Sequence, residues 1–340
     1  MRSPGASDAA FSGLALRLYA AQSHANPPYR RLGGQRGLPA SGVASWRDIP
    51  AVPACAFREF EFSCLEPADR TAVFHSSGTT GATPSRHFHG RDSLALYDDS
   101  AWHWFEGCVR PAERSRLFIL TPPPAAAPHS SLVRMFDTVR RKLSAGDACF
   151  HGRADSAGAW HLDLEPLADS LAASAAAELP ALVLGTAFSF VHLLDGLAGA
   201  GRRVALAPGS RVMETGGYKG RSRELAPGRL HEIMTRQLGV APRDIVREYG
   251  MSELSSQAYG GAAGGGFRFP PWARALVVSP ETGREVAEGE TGLLRVVDLA
   301  NVWSVMAIQT EDLAVRRGSG FELVGRAAPA EPRGCSLMAA

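Results

Sequence analysis

The stretch Ser76-Ser77-Gly78-Thr79-Thr80-Gly81, backed by Pro84-Ser85-Arg86, decides how this chain is read. It follows a short apolar run, Ala72-Val73-Phe74, that reads as a strand, and it precedes a helix predicted to begin near Asp92. Four hydroxyls and two glycines on such a strand-to-helix loop suit an anion. The glycines let backbone approach phosphate oxygens, and hydroxyls and N–H groups donate to them. No lysine follows Gly81, so this is not the Gly-x-x-x-x-Gly-Lys-Ser/Thr loop. Runs of Ser, Thr and Gly also make ordinary turns, and the loop by itself does not separate the two readings.

Outward from that loop, strands and helices alternate. A helix is predicted over 92–108, with Leu94, Tyr97, Ala101, Trp104, Phe105 and Cys108 on one face and His103 on the polar side. Arg116-Leu117-Phe118-Ile119-Leu120 reads as a buried strand, and a helix resumes at Ser131 after a proline-rich loop. Further strands are predicted at 181–184, 203–206, 211–215 and 244–249, with helices over 187–197 and 222–238. This is the pattern of an α/β fold with layered, largely parallel sheets. The glycine-rich segment 258–266 is expected to be a mobile loop. After Pro270 short β runs and turns take over, predicting a smaller, mainly antiparallel β subdomain from about residue 270. Near the N-terminus Phe11, Leu14 and Leu18 recur at helical spacing, with Arg17 interrupting the apolar run, which fits an amphipathic helix better than a signal peptide.

Composition sets broad limits. With 340 residues, 45% hydrophobic and 21% charged, the chain has enough apolar content for a large core. A net charge of +2 and the lack of a basic block with interleaved aromatics argue against a nucleic-acid partner. No run reaches transmembrane length. The five cysteines, Cys55, Cys64, Cys108, Cys149 and Cys335, include no Cys-x-x-Cys pair, which argues against a disulfide framework or zinc site and for a reducing cytoplasm.

Chemistry gathers at two more places. Glu248-Tyr249-Gly250-Met251-Ser252-Glu253-Leu254 ends a predicted parallel strand, where ligands bind in open α/β sheets. Tyr249 offers a flat face for adenine, and Glu253 a hard oxygen for Mg2+ beside phosphates. A core tyrosine and a helix-start glutamate are the plainer alternatives. In Gln309-Thr310-Glu311-Asp312-Leu313, read as a turn, Asp312 has the chemistry to accept both ribose hydroxyls, or it is simply a solvated turn aspartate.

Taken in order, the hydroxyl–glycine loop, the Tyr-Gly-Met-Ser-Glu turn, the Thr-Glu-Asp-Leu segment and Gly325-Arg326 resemble acyl-adenylate-forming (AMP-binding) enzymes. Within that superfamily the chain looks most like the LuxE-type acyl-protein synthetases, the fatty-acid-activating subunits of bacterial fatty acid reductases. The closer likeness rests on Ser130-Ser131-Leu132, on Glu214-Thr215-Gly216-Gly217-Tyr218-Lys219-Gly220-Arg221-Ser222-Arg223-Glu224-Leu225, and on 249–259. It continues through Pro270-Pro271-Trp272, Gly292-Leu293-Leu294, Asp298-Leu299-Ala300-Asn301 and 307–312, to Glu331-Pro332-Arg333-Gly334-Cys335-Ser336-Leu337.

The resemblance implies the large N-terminal domain of such enzymes over residues 1–325, with a flexible tail, 326–340, carrying Cys335. It implies joining of a fatty or other carboxylic acid to ATP, with Mg2+, to give acyl-AMP and pyrophosphate. Ser76, Ser77, Gly78, Thr79, Thr80 and Gly81 would hold phosphates, Thr79 and Thr80 as catalytic groups, with Glu253 on the metal. Tyr249, Gly250, Met251, Ser252, Gly216 and Gly217 would border the nucleotide, Asp312 would take the ribose, and Arg326, counted among the catalytic residues, would border the same pocket. Full-length relatives add a C-terminal domain whose lysine assists; only fourteen residues follow Arg326, so that domain is expected to be missing. Lys219, Arg221 and Arg223 are candidates for the missing cation, or a solvated basic turn. The likeness makes Cys335 the thiol that takes the acyl group for a reductase partner, with an acyltransferase as a possible further partner. Beside Arg333 its thiolate would be favoured; without the likeness it would be an incidental tail cysteine. Two other readings stay open: delivery to coenzyme A or a carrier protein, and a silent nucleotide-binding subunit.

Overall fold

The computed structural model describes residues 8–37, 42–76, 83–216, 225–262 and 264–327. The chain divides into two units. The first comprises the described residues up to Ser100, Met251–Gln257, and those from Arg268 on; the second comprises 101–250 and 258–267.

The second unit is the α/β body. Strands Arg116–Ile119, Ala181–Thr186, Arg211–Thr215 and Ile245–Tyr249 run parallel in that spatial order, registered through Phe118↔Val183, Val183↔Val212 and Val212↔Ile245. Alternation along a strand sends these four residues to one face. There they form a core with Leu167 and Leu171 of helix Leu164–Ala176, Phe190, Leu194 and Leu197 of helix Ala187–Gly199, and Ile233 and Met234 of helix Pro227–Leu238.

Two sequence expectations fail in this unit. The segment 203–206 is not a strand: the Val204 N–H donates to the Gln237 carbonyl (3.2 Å) and the Leu206 N–H to the Leu238 carbonyl (2.9 Å), so its backbone is satisfied by a helix end. The described residues of the glycine-rich 258–266 form a β-ribbon and not a loop. Strand Ala258–Gly261 pairs antiparallel with Ile245–Tyr249, and strand Gly264–Arg268 lies beside it. The glycines serve close approach: a Cβ on Gly260 would meet the Gly266 carbonyl oxygen at 2.6 Å.

In the first unit strands Ala273–Val278, Thr291–Asp298, Ala307–Arg317 and Gly320–Arg326 form an antiparallel sheet in chain order, and Val52–Pro53 pairs parallel with the third. Its buried residues include Leu276, Val277, Leu294, Val296, Ile308, Ala314 and Phe321. The segment 309–313, read as a turn, is the middle of an eleven-residue strand with a bulge at Leu313/Ala314. The bulge supplies the local irregularity while the ladder continues.

Helix Asp8–Ala25 is present, but its buried face is Phe11, Ala15, Tyr19 and Gln22; Leu14, expected inside, is 49% exposed. The larger rings set the face. Phe11 packs edge-on against Trp46 (5.2 Å between centroids) and Tyr19 against Tyr29 (5.4 Å). No helix among the described residues is long and apolar enough to cross a membrane.

The opening loop is also placed differently from its reading. Strand Ala72–His75 pairs antiparallel with strand Arg86–His89, through Phe74↔His87 and His75↔Arg86, and helix Arg91–Val109 starts only after the second strand. The hydroxyl–glycine segment therefore joins two hairpin strands. The short Arg-His-Phe-His run concealed a strand behind the loop.

Candidate nucleotide site

In the first unit the hairpin ends meet the turn that follows Gly250. The Ser85 N–H donates to Ser76 Oγ (2.9 Å), closing the base of the hydroxyl–glycine connection. Ser85 Oγ donates to Glu253 Oε1 (2.5 Å), and Ser252 Oγ donates to Glu253 Oε2 (2.9 Å). His87, on the buried face of the second hairpin strand, has Nδ1 2.8 Å from the Ser252 carbonyl oxygen. Glu253 is not a helix-start residue. It sits in a tight turn in which the Leu254 N–H donates to the Met251 carbonyl (3.2 Å).

This carboxyl is only 4% exposed, and burial pushes its pKa up, with the Ser85 and then the Ser252 hydroxyl pulling it back down. Burial is the larger cause. Burial also pushes His87 down to about 4, so its imidazole is neutral near pH 7. Each Glu253 oxygen accepts one hydroxyl and retains acceptor capacity. A carboxylate flanked by two hydroxyl oxygens is a hard donor set, which fits a hard divalent cation. Among the described residues no three His, Cys, Asp or Glu side chains form a metal cluster. A cation here would take one carboxylate and complete its shell with phosphate and water, as magnesium commonly does.

A second grouping in this unit is Asp312 with Arg326. They are registered across neighbouring strands, with Arg326 Nε donating to Asp312 Oδ1 at 3.0 Å. The Asp312 N–H donates to Thr310 Oγ1 (3.1 Å). The Asp312 side chain is 16% exposed and that of Arg326 75%, so solvent weakens the pair's contribution to stability.

In the second unit Gly216 ends strand Arg211–Thr215 at φ +68°, with open space where a Cβ would point. Tyr249 is only 8% exposed, with Phe267 tilted against it at 6.1 Å, and Gly250 beyond it is exposed. Next to Tyr249, Glu248 is buried and accepts from the Thr215 hydroxyl. Burial first, and the Glu214 charge less, push its carboxyl up to about 7. Glu214 lies 3.4 Å from His231 Nε2 and 3.5 Å from Arg247 Nε.

Of the residues singled out from sequence, Ser76, Ser252 and Glu253 thus converge, and Asp312 meets Arg326. Ser77, Gly78, Thr79, Thr80, Gly81, Gly217, Lys219, Arg221, Arg223 and Cys335 lie outside the described residues. Sequence reading gives Ser85, Asp298 and Asn301 no role beyond their place in longer stretches, and it does not single out His87. His87 and His89 alternate within Arg86–His89, and that period-two spacing marks a shared face. Asp298 Oδ2 accepts from the Ser255 N–H (2.9 Å) and Oδ1 from the Ser256 hydroxyl (2.7 Å), tying the turn to the antiparallel sheet.

No family model matches the chain, nor does any curated protein sequence. Solved structures do. The structure of 2-hydroxyisobutyryl-CoA ligase in its postadenylation state, complexed with 2-HIB-AMP, is similar with TM-score 0.68 at 17% identity, over 94% of this chain and 67% of that one. An ATP-bound RpMatB-BxBclM chimera gives TM-score 0.52 at 17% identity, over 84% of this chain and 51% of that chain. ATP-bound MatB from Rhodopseudomonas palustris gives 0.50 at 16%, over 84% and 52%. The chain thus spans about two thirds of the first and about half of the other two. Identity at this level speaks for fold alone, and the mixed α/β fold is that of the N-terminal domain of acyl-adenylate-forming enzymes.

Proposed function

We propose that this protein activates a carboxylic acid with ATP and Mg2+, forming acyl-AMP, and passes the acyl group to its own Cys335. The observation that carries the proposal is the buried Glu253 carboxylate held between Ser85 and Ser252, with Ser85 tied to the Ser76 end of the hydroxyl–glycine segment. The likeness in fold to a ligase solved in its postadenylation state supports that reading.

In the first step a carboxylate oxygen of the acid attacks the α-phosphorus of ATP, the bond to the β-phosphate bridging oxygen breaks, and pyrophosphate leaves. Charge spreads over the phosphoryl oxygens, so the protein's work is placement and electrostatic stabilisation. Ser76, Ser77, Thr79 and Thr80 donate to phosphate oxygens. Glu253 would hold a magnesium ion, whose charge would neutralise phosphate. Asp312 would take the ribose hydroxyls once Arg326 turns toward phosphate. In the second step the Cys335 thiolate attacks the acyl carbonyl carbon, AMP leaves and a thioester forms.

Among the described cysteines, Cys64 and Cys108 are poorly suited to that step. Both are pushed up to about 11 by burial, and a thiol must ionise to attack. A long-chain fatty acid, a reductase partner and a cytoplasmic location complete this acyl-protein synthetase reading. The coenzyme A ligase in the comparison, solved also with 2-HIB-AMP and CoA, favours a second reading in which the acyl group leaves to coenzyme A.

Incubation with labelled fatty acid and ATP separates the two. Wild type should carry hydroxylamine-labile label, and Cys335→Ser should lose it while retaining acid-dependent ATP–pyrophosphate exchange. Equal labile label in both proteins rejects Cys335 as acceptor. No label, with acyl-coenzyme A formed when coenzyme A is added, selects the second reading.

A further inference from the structure

The turn bearing Glu253 is not stiffened by helix or strand, so its placement depends on side chains from elsewhere in the first unit. Asn301, only 2% exposed, makes the decisive contacts. Its Nδ2 donates both to the Glu253 carbonyl (2.8 Å) and to the Val305 carbonyl (2.9 Å), and its Oδ1 accepts from the Ser255 hydroxyl (2.6 Å). Both amide hydrogens and the amide oxygen are thereby used, and the O/N assignment of the side chain follows from its partners.

Asn301 is itself held in place. Gln22 of helix Asp8–Ala25 donates through Nε2 to the Asn301 carbonyl (2.7 Å) and the Val302 carbonyl (3.1 Å), and accepts from the Met306 N–H (3.1 Å). Asp298 fixes the other side of the same segment, accepting from the Ala300 N–H (3.0 Å) as well as from Ser255 and Ser256. Such a saturated polar network allows one geometry, because any shift leaves a buried group unpaired.

We propose that Asn301 is the positioning residue for Glu253, fixing the carboxylate where metal and phosphate meet it. The proposal rests on the adenylation reading, and it adds a residue that touches neither metal nor nucleotide. Loss of the amide would free the Glu253 carbonyl and let the carboxylate wander without changing its charge. Groups that orient a metal ligand commonly matter about 10–100-fold for metal affinity.

The test measures Mn2+ binding by electron paramagnetic resonance, with a non-hydrolysable ATP analogue present, on the full chain. Asn301→Ala should bind Mn2+ about tenfold more weakly than wild type, and Glu253→Gln more weakly still. Affinity for the analogue without metal should stay at the wild-type value in Asn301→Ala, which a merely structural loss would not leave intact. Ser255→Ala removes only the tether on Oδ1 and should weaken Mn2+ about threefold. Wild-type Mn2+ affinity in folded Asn301→Ala overturns the proposal. If Asn301→Ala does not fold, wild-type affinity in Ser255→Ala overturns it instead. A wild-type protein that binds no Mn2+ with the analogue rejects the adenylation reading itself, and this inference with it.

Discussion

Glu248 and Glu253 stand five residues apart, both buried, and both have carboxyl groups pushed up chiefly by burial. Their surroundings differ. Glu248 sits inside a parallel strand of the second unit, opposite Tyr259, accepting from Thr215 with Glu214 nearby. Glu253 sits in a turn of the first unit, accepts two serine hydroxyls, and is one residue removed from the hydroxyl–glycine segment through Ser85 and Ser76. A raised carboxyl pKa is common to both and so does not mark the site. The local donors do. Hydroxyls that can also turn their lone pairs to a cation make Glu253 a candidate ligand, while Glu248 is a strand carboxyl with one partner on the sheet.

The largest effect expected from this contrast is on chemistry. Glu253→Gln keeps shape but loses charge, and should lower acid-dependent ATP–pyrophosphate exchange about a hundredfold while raising the Mg2+ needed for half-maximal rate. Glu248→Gln should change exchange less than about threefold. Equal losses in the two variants, or an unchanged magnesium titration in Glu253→Gln, would erase the distinction.

Next in size is a pH effect on stability at Glu248. Its folded carboxyl titrates at about 7 against an ordinary 4.5, so the folded state binds the proton more tightly. The stability it contributes is complete below pH ~4.5 and is lost as pH rises through about 7. Glu248→Gln cannot ionise, so it should be more stable than wild type at pH 8 by on the order of 2–3 kcal/mol and nearly equal at pH 4. Urea unfolding at the two pH values measures this, and a pH-independent difference would contradict it.

The smallest effect concerns Ser85. Its hydroxyl bond to Glu253 lowers that carboxyl's pKa, so Ser85→Ala should push it further up. Exchange should fall about fivefold near neutral pH, and the acid limb of the pH–rate profile should move to higher pH. A profile superimposable on wild type would mean that Ser85 does not bear on the carboxylate's ionisation.

What was legible in the sequence followed from strong periodicity. Continuous apolar runs such as Leu182-Val183-Leu184 announced buried parallel strands, because both faces of such a strand are covered. The places that misled were those where local pattern and long-range pairing disagree. Asp312 resembles a turn residue, yet its strand is held by ladder bonds on both sides, to 291–297 and 320–326. Gly260 and its neighbours resemble a flexible loop until the approaching backbone that requires them is known. In helix Asp8–Ala25 helical spacing groups Leu14 and Leu18 with Phe11, but it is Tyr19 that joins Phe11 on the inner face, against Tyr29 and Trp46. The site was legible in part. Ser76, Ser252 and Glu253 were readable as chemistry, whereas Ser85 and Asn301 act through partners 168 and 48 residues away, a separation that no local pattern encodes.

Joining a carboxylic acid to AMP is the activity proposed for this chain. Its most direct measurement is the incubation of the full chain with α-32P-labelled ATP, Mg2+ and a panel of carboxylic acids from short to long chain, followed by chromatographic separation of acyl-adenylates. A labelled acyl-AMP and an equal amount of pyrophosphate should appear only when both an acid and Mg2+ are present. ATP binding by the folded protein with no acyl-AMP from any acid would contradict the proposed activity and leave a nucleotide-binding protein without adenylation chemistry.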